Sequence, residues 1–151
     1  MCGVYGIYTR GVLSDSKLKK VQSIGDILKH RGPDGKGFWH KSNIALGHRR
    51  LTILDKTDSG VQPMHYKSGR YTIAYNGEIY NFIELRDELI KRGYAFKSKT
   101  DTEVVIAAYD CWGEKCLDKF NGMWAFSLWD SKEKILLLSK DRFGVKPLYY
   151  S

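Results

Sequence analysis

The sequence has few cysteines, and they are too few and uneven in number to form a disulfide framework. Its 151 residues include three, Cys2, Cys111 and Cys116, whereas small disulfide-rich domains carry an even set. We interpret Cys111 and Cys116 as reduced structural thiols, a common role for cysteine in a protein core. The four histidines fall at no spacing typical of metal ligands, so we expect no metal site.

Long apolar runs are also absent. The longest span 104–109 and 135–138, which is far short of the ~18 residues that a membrane-spanning helix requires. At the N-terminus no basic segment precedes a long apolar stretch, so the pattern of a secretory signal is missing. We therefore expect a cytoplasmic protein with no membrane partner.

Positive charge is in excess. The chain carries 25 lysines and arginines against 17 acidic residues, a formal net charge of +8, which is compatible with nucleic-acid binding. The basic residues are spread from Arg10 to Lys146 and interleaved with acids, and no aromatic RNA-binding signature accompanies them. This distribution favours a solvated basic surface and no nucleic-acid partner.

Hydrophobic periodicity predicts strands towards both ends of the chain and helices between them. We predict strands at 2–9, 37–41, 43–48, 71–76, 122–130 and 134–141, helices at about 15–29, 81–92, 100–112 and 113–120, and a loop at about 55–69. Ser14 or Asp15 caps the first helix, and the patterns Asn-x-x-Glu (81–84) and Thr-x-x-Glu (100–103) are capping boxes. This order predicts one domain of the α+β class.

Cys2 is followed at once by glycine, and removal of Met1 would make it the N-terminal residue. An α-amine has a pKa of roughly 7.7–8.0, so part of it is neutral at physiological pH. Such an amine can take the proton from the thiol of its own residue, as in enzymes with an N-terminal threonine nucleophile. The alternative is that Cys2 is a small apolar residue of the core.

The pair Asn76-Gly77 follows a predicted strand. Asn-Gly at such a position is typical of a type I′ hairpin turn. However, the residues that follow it carry helix signals rather than those of a returning strand. A side-chain amide beside a glycine N–H can instead stabilise the oxyanion of an acyl-transfer reaction, and we favour this second hypothesis.

Arg49 and Arg50 are adjacent in a strand-like segment, so their side chains point to opposite faces. An arginine that faces a pocket would clamp a carboxylate with two parallel hydrogen bonds. The other, for which we favour Arg49, would face solvent or form a structural ion pair. Asp101 lies in the first turn of a predicted helix, where the helix dipole stabilises a carboxylate. It is suited to bind an ammonium group, but a helix-start aspartate without that role is as common.

These residues together describe a pocket that suits a free amino acid with a side-chain amide. Glutamine is the obvious candidate, because it offers a carboxylate, an ammonium group and an amide carbon that a thiol can attack. Other interpretations of each residue stay open at this point.

Seven segments, taken in order, resemble the glutaminase domain of glutamine-hydrolysing asparagine synthetases, which are class II glutamine amidotransferases of the N-terminal-nucleophile hydrolase superfamily. The segments run from residue 1 to residue 150 and are MCGVYGIY, HRGPDG, GHRRLTILD, YNGEIYN, KTDTEV, FNGMWAFSLWD and KDRFGVKPLYY. The resemblance implies one glutamine amidotransferase domain over residues 1–151, with Met1 removed, folded as a four-layer αββα sandwich.

The resemblance also implies a role for each matching residue. Cys2 resembles the nucleophile, and Asn76 and Gly77 match the oxyanion hole, which makes these three the expected catalytic residues. Arg50 matches the arginine that binds the glutamine carboxylate, and Asp101 matches the acid that binds its ammonium group. The full set expected to bind glutamine is Arg50, Leu51, Thr52, Ile53, Leu54, Asn76, Gly77, Glu78 and Asp101.

By the same resemblance the reaction is hydrolysis of glutamine through a Cys2 glutamyl thioester, without a metal or cofactor. ATP and Mg²⁺ are expected only in a synthetase domain, which would act in cis or in trans and which we expect to be absent from this chain. The chain is also expected to stop slightly short of a complete glutaminase domain. A homodimer is left open.

The motifs identify the acceptor of the ammonia less specifically than they identify the family. Aspartate is the default, which would make this domain the ammonia-supplying half of asparagine synthesis. The alternatives are an amidotransferase domain that serves another acceptor, such as a sugar acid, and a catalytically incomplete fragment that binds glutamine or has a regulatory role.

Overall fold

The computed structural model describes residues 1–52 and 60–151. Within these residues the elements are β1 (Gly3–Tyr8), α1 (Asp15–Ile27), β2 (Gly35–Lys41), β3 (Ile44–Arg50), β4 (Met64–Tyr66), β5 (Tyr71–Ile79), α2 (Phe82–Lys91), α3 (Asp101–Trp112), α4 (Cys116–Lys119), β6 (Gly122–Asp130) and β7 (Ile135–Lys140). Short 3₁₀ turns at Leu28–Arg31 and Gly113–Lys115 follow α1 and α3.

The strands form two antiparallel sheets. The first sheet has the order β1-β3-β2, and the second has the order β4-β5-β6-β7. In the first, Tyr5 lies opposite Gly47; in the second, Tyr75 lies opposite Phe126. β5 and β6 are therefore the central strands of the second sheet and β3 is the central strand of the first.

Three apolar clusters show how the layers are stacked. One joins α1 to the first sheet through residues such as Val21 and Ala45. A second, which includes Leu46 and Trp129, lies between the two sheets. The third and largest packs α2 and α3 on the outer face of the second sheet and includes Ile106. The resulting order, helix, sheet, sheet, helices, is the predicted four-layer αββα sandwich.

Alternation along the strands decides which side chains enter the layer between the sheets. In β3, Ile44 and Leu46 face the second sheet, whereas Ala45 faces α1. In β5, Ala74 faces the first sheet, whereas Ile73 faces the helices. Even-numbered residues of both strands therefore point into the layer between the sheets.

The predicted elements and two of the predicted caps are confirmed. Ser14 Oγ accepts a hydrogen bond from Lys17 N at 3.4 Å at the start of α1. Thr100 Oγ1 accepts one from Glu103 N at 3.3 Å at the start of α3. The reciprocal bond of the predicted capping box does not form, because the Glu103 carboxylate accepts from Lys97 N and Ser98 N instead. The hairpin between β6 and β7 also lies where the sequence places it.

Two predictions are wrong. The segment predicted as a loop at 55–69 includes the short strand β4, which pairs with β5 through Met64 and Ile73. Asn81 precedes α2, but its side chain does not act as the predicted capping box. Its Nδ2 donates to Lys119 O at 2.9 Å and its Oδ1 accepts from Asn121 N at 3.0 Å, so it ties α2 to the α4–β6 connection instead.

Cys111 and Cys116 are free thiols, as predicted, and Cys116 is fully buried. Its burial raises the pKa of the thiol to about 12, which keeps it protonated and chemically inert. In the described ranges 1–52 and 60–151, no helix is long and apolar enough to cross a membrane.

Candidate active site

A pocket of about 120 Å³ opens at one end of the layer between the two sheets. It lies where β1 begins, where β3 ends and where β5 approaches α3. The residues that line it are Met1, Cys2, His48, Arg50, Leu51, Thr52, Gly60, Gln62, Tyr75, Asn76, Gly77, Glu78, Thr100, Asp101, Thr102, Met123 and Lys146. Every predicted site residue in the described ranges is in this set.

Cys2 immediately precedes β1, and its partly buried thiol is held against the end of β3. Leu51 N donates a hydrogen bond to Cys2 Sγ at 3.4 Å, and the thiol donates to Leu51 O at 3.7 Å. The contact places the sulfur beside the strand that carries Arg50.

The two adjacent arginines point in opposite directions, as strand alternation requires. Arg49 is buried on the α1 side, where its Nε donates to Gly25 O and its Nη2 lies 2.7 Å from Asp26 Oδ1. Arg50 points into the layer between the sheets and lines the pocket. It passes so close to Gly60 that a Cβ on this glycine would overlap its guanidinium group. The predicted structural ion pair therefore belongs to Arg49.

Asn76, Gly77 and Glu78 lie within β5, opposite Ala125, Trp124 and Met123 of β6. This pairing contradicts the hairpin-turn interpretation of Asn76-Gly77. Because even-numbered residues of β5 face the first sheet, the side chains of Asn76 and Glu78 point towards the end of the sheet that carries Cys2 and Arg50.

The backbone of β5 presents a second set of groups to the pocket. β4 pairs with β5 only as far as Ile73, and within residues 1–52 and 60–151 no other strand pairs with this edge of β5. There Tyr75 N donates to Gln62 Oε1 at 2.7 Å, and Ile79 N donates to Asp101 Oδ2 at 3.0 Å. Since alternate residues of a strand direct their N–H groups to the same edge, the N–H of Gly77 points to this edge between them.

His48 supports the same part of β5. Its Nε2 is 3.0 Å from Tyr75 O, and because a carbonyl only accepts hydrogen bonds, Nε2 carries the proton. Burial lowers the pKa of His48 to about 4. The ring is therefore neutral near pH 7 and positions β5 without adding charge to the pocket.

Asp101 is the first residue of α3 and is almost fully buried. Its Oδ2 accepts hydrogen bonds from the hydroxyl of Tyr75 at 2.6 Å and from Ile79 N at 3.0 Å. Burial raises the pKa of Asp101 above its usual range, although both hydrogen bonds act in the opposite direction. A cation next to this carboxylate would favour its ionised form.

The remaining predicted residues form the segment that follows β3, and they are Leu51, Thr52, Ile53 and Leu54. Leu51 and Thr52 both line the pocket. Leu51 N donates to Cys2 Sγ, whereas Thr52 N donates to Asp34 Oδ2 at 2.7 Å. Ile53 and Leu54 lie outside the described residues.

Sequence reasoning missed several residues of the pocket. Gln62 and His48 reach it from a predicted loop and a predicted strand, and Lys146 reaches it from the segment after β7. For Lys146 a signal was available, since it is the one charged residue in the otherwise apolar run GVKPLYY. In the ranges 1–52 and 60–151, no group of three or more histidine, cysteine or acidic residues is arranged to hold a metal ion.

Comparison with known proteins agrees with the pocket. A family model described as a glutamine amidotransferase domain matches residues 1–151. Asparagine synthetase (glutamine-hydrolyzing) 1 of Bacillus subtilis (strain 168) is 40% identical over 153 residues, which cover 100% of this chain and 24% of that protein. Asparagine synthetase B (glutamine-hydrolyzing) of Escherichia coli (strain K12) is 37% identical over 149 residues, which cover 99% of this chain and 26% of that protein. The chain thus spans about a quarter of the length of these relatives.

The fold has a solved counterpart. The glutamine phosphoribosylpyrophosphate amidotransferase of B. subtilis superimposes with a TM-score of 0.73 over 91% of this chain and 37% of that chain, at 20% sequence identity. At this identity the match speaks for the fold alone, and it confirms the predicted four-layer αββα sandwich.

Proposed function

The chain belongs to the family of glutamine amidotransferase domains, and from this premise we propose that it hydrolyses glutamine to glutamate and ammonia through a thioester on Cys2. One observation carries the proposal. A thiol, an arginine, an amide next to a glycine N–H, and a buried carboxylate come from four separate elements and meet in one pocket. Each matches a different group of glutamine.

Recognition of glutamine follows from the charges. The Arg50 guanidinium binds the α-carboxylate with paired hydrogen bonds, and Asp101, with Glu78 beside it, binds the α-ammonium group. An amino acid held at both of these charged groups has its side chain directed along the pocket. The side-chain amide then lies against Cys2.

The chemistry begins once Met1 has been removed. The Cys2 thiol loses its proton to the α-amine of the same residue, and the sulfur attacks the amide carbon of glutamine. Negative charge develops on the amide oxygen, where the Asn76 side chain and the Gly77 N–H donate hydrogen bonds. The orientation of the Gly77 N–H towards the edge of β5 that contacts Gln62 and Asp101 supports this role.

Collapse of that intermediate breaks the carbon–nitrogen bond. The protonated α-amine gives its proton to the leaving nitrogen, which departs as ammonia and leaves a glutamyl thioester. Water then attacks the thioester while the amine, now neutral, accepts its proton. Glutamate and the free thiol are the products, and no cofactor takes part.

The relatives are named as asparagine synthetases, and this extends the proposal to the use of the ammonia. We infer that the ammonia serves ATP-dependent asparagine synthesis from aspartate, with ATP and Mg²⁺ used by a synthetase domain in cis or in trans. The cytoplasmic location expected from the sequence is likewise part of the proposal. A domain that serves a different acceptor would share the glutaminase step but not this product.

The proposal is tested by measuring glutamate release from glutamine, together with mass spectrometry of the N-terminus. We expect activity only in molecules that begin with Cys2. The variant Cys2→Ala should lose at least about 10³-fold in rate, because the nucleophile is removed. Its melting temperature should change little, because the substitution removes only the long hydrogen bonds between the thiol and Leu51.

Cys111→Ala is the matched control, because it also removes a partly buried thiol but lies on α3 away from the pocket. It should retain the rate of the parent protein. Glutamate release that survives in Cys2→Ala would contradict the proposal, and so would full activity in molecules that retain Met1.

A further inference from the structure

Lys146 is a buried cation that lines the pocket next to Met1, the first residue of the chain. It is 6% exposed, and its Nζ lies 2.7 Å from Met1 Sδ. Lysine is seldom buried to this degree without a specific reason. Removal of Met1, on which the proposed mechanism depends, would take away this sulfur and leave the ammonium group facing the new N-terminus.

The position of Lys146 is fixed by a second buried residue. Asp141 follows β7 and accepts hydrogen bonds from the backbone N–H groups of Phe143, Val145 and Lys146 at 3.1, 2.8 and 2.9 Å. It also accepts one from Trp124 N at 3.2 Å, which anchors the segment to β6. These donors outweigh the effect of burial and hold the pKa of Asp141 below its usual range. The segment that carries Lys146 is thus tied to the second sheet by an ionised carboxylate.

Other charged groups line the same pocket as Cys2. Glu78 and Asp101 line the pocket from β5 and α3, and Arg50 lines it from β3. His48 is neutral at working pH because its pKa is about 4, and the pKa of Tyr75 is raised well above its usual range by burial. Among the described residues that line the pocket, the two carboxylates would favour the protonated form of a nearby amine, and Arg50 opposes them. Lys146 supplies the second positive charge.

We propose that Lys146 is a positioning residue that keeps the Cys2 α-amine neutral, and therefore basic, near pH 7. The inference rests on the proposed function, because the amine must accept a proton from the thiol. A positive charge disfavours the protonated form of a neighbouring amine and so lowers its pKa. It favours the thiolate for the same reason. Both effects increase the fraction of enzyme that is ready to attack.

The size of the effect follows from distance. Five covalent bonds separate Met1 Sδ from Cys2 N, which limits their separation to about 6 Å. Lys146 Nζ is thus within roughly 9 Å of the position of the α-amine. With an effective dielectric constant of about 20, a unit charge at that distance moves a pKa by on the order of one unit.

The test compares the pH dependence of kcat/KM for glutamine in the parent protein and in Lys146→Met, from about pH 5.5 to 9.5, because this ratio reports groups of the free enzyme. We expect the acidic limb of the variant to move to higher pH by about one unit. At about pH 9, where the amine is neutral in both proteins, the two rates should agree within about twofold. Lys146→Arg keeps the charge and should keep the limb of the parent protein.

Lys132→Met is the matched control, since it removes a lysine with a 70% exposed side chain at the β6–β7 turn and changes the net charge equally. Its pH profile should coincide with that of the parent protein. A limb that does not move in Lys146→Met overturns the inference, as does a loss of rate that is equal at every pH, which would indicate a purely structural role. Absence of glutaminase activity in the parent protein would instead overturn the proposed function.

Discussion

The pocket has two sides that differ in how they are built. One side carries the proposed nucleophile and is built from segments that flank the sandwich. The other side would bind the amino-acid group and is built from the centre of the sandwich. The first side consists of Cys2, just before β1, and Lys146, after β7. The second consists of Arg50 at the end of β3, Glu78 within β5 and Asp101 at the start of α3. We refer to them as the nucleophile side and the binding side.

The two sides are held in place by different forces. The residues of α3 that follow Asp101 are fully or almost fully buried as far as Ala108, so the binding side rests on the largest apolar cluster of the molecule. The nucleophile side is held by hydrogen bonds, between Cys2 and Leu51 and between Asp141 and the segment around Lys146. Most of the apolar core and the proposed nucleophile therefore lie in different parts of the chain. This separation can be tested with substitutions that should affect one part and spare the other.

The largest effect is expected for stability, in a matched pair of isoleucines. Ile106 of α3 is fully buried behind the binding side, whereas Ile24 of α1, the helix that covers the sheet containing β1, is 37% exposed. Ile106→Ala should lower the free energy of unfolding by about 3–4 kcal/mol, because it opens a cavity in the core. Ile24→Ala should lower it by about 1 kcal/mol or less. Urea denaturation followed by fluorescence measures both values.

Equal losses in the two variants would contradict the unequal division of folding energy. The measurement is independent of the proposed activity, since neither isoleucine lines the pocket.

The next effect separates binding from stability in two neighbouring residues. Arg50→Leu should raise the KM for glutamine by about 100-fold, because it removes a paired, charge-assisted interaction with the carboxylate. Arg49→Leu should leave KM within about twofold but lower the free energy of unfolding by about 1–2 kcal/mol. Most of that loss would come from the buried Gly25 carbonyl, since Asp26 has a 64% exposed side chain and an exposed ion pair contributes little.

Steady-state kinetics and thermal denaturation of both variants check this prediction. A KM effect that is larger for Arg49→Leu would reverse the assignment of the two arginines, and with it the direction of the β3 side chains.

Much of the fold could be predicted because its signals are local. The caps Ser14 and Thr100, the alternation of the strands and the hairpin between β6 and β7 each depend on residues within a few positions of one another. The family could be predicted because its motifs are spread along the whole chain, and the match over residues 1–151 confirms it. The opposite orientation of Arg49 and Arg50 also follows from local geometry.

The remaining features depend on contacts distant in sequence. β4 has only three residues, and it is a strand because Met64 finds a partner in Ile73. Asn81 has the pattern of a cap, but residues about 40 positions further on compete for its side chain. Lys146 could not be placed beside Met1 from the sequence, because 145 positions separate them. The exact roles of Cys2, Asn76, Gly77 and Asp101 stay predictions.

The smallest effect concerns Asp101 and the pH dependence of the binding side. Because burial raises its pKa in the folded protein, the folded state holds this proton to a higher pH than the unfolded state does. The free energy of unfolding should therefore fall as pH rises from about 4, near the ordinary pKa of aspartate, and level off above the raised pKa. Asp101→Asn removes this titration, so its stability relative to the parent protein should increase over the same interval.

Glutamine adds an opposite pH dependence, because its ammonium group favours the ionised carboxylate. In a Cys2→Ala background, which prevents turnover, calorimetry should show glutamine binding that strengthens as pH rises through the pKa of Asp101, by at most about tenfold per pH unit. The double variant Cys2→Ala, Asp101→Asn should bind weakly, with no such change. If both proteins showed the same pH dependence, Asp101 would not be the group that meets the ammonium, and the binding side would have to rely on Glu78. If the affinity for glutamine did not change with pH in either variant, Asp101 would take up its proton outside the pH range of the binding measurement. Its burial would then contribute only to the fold.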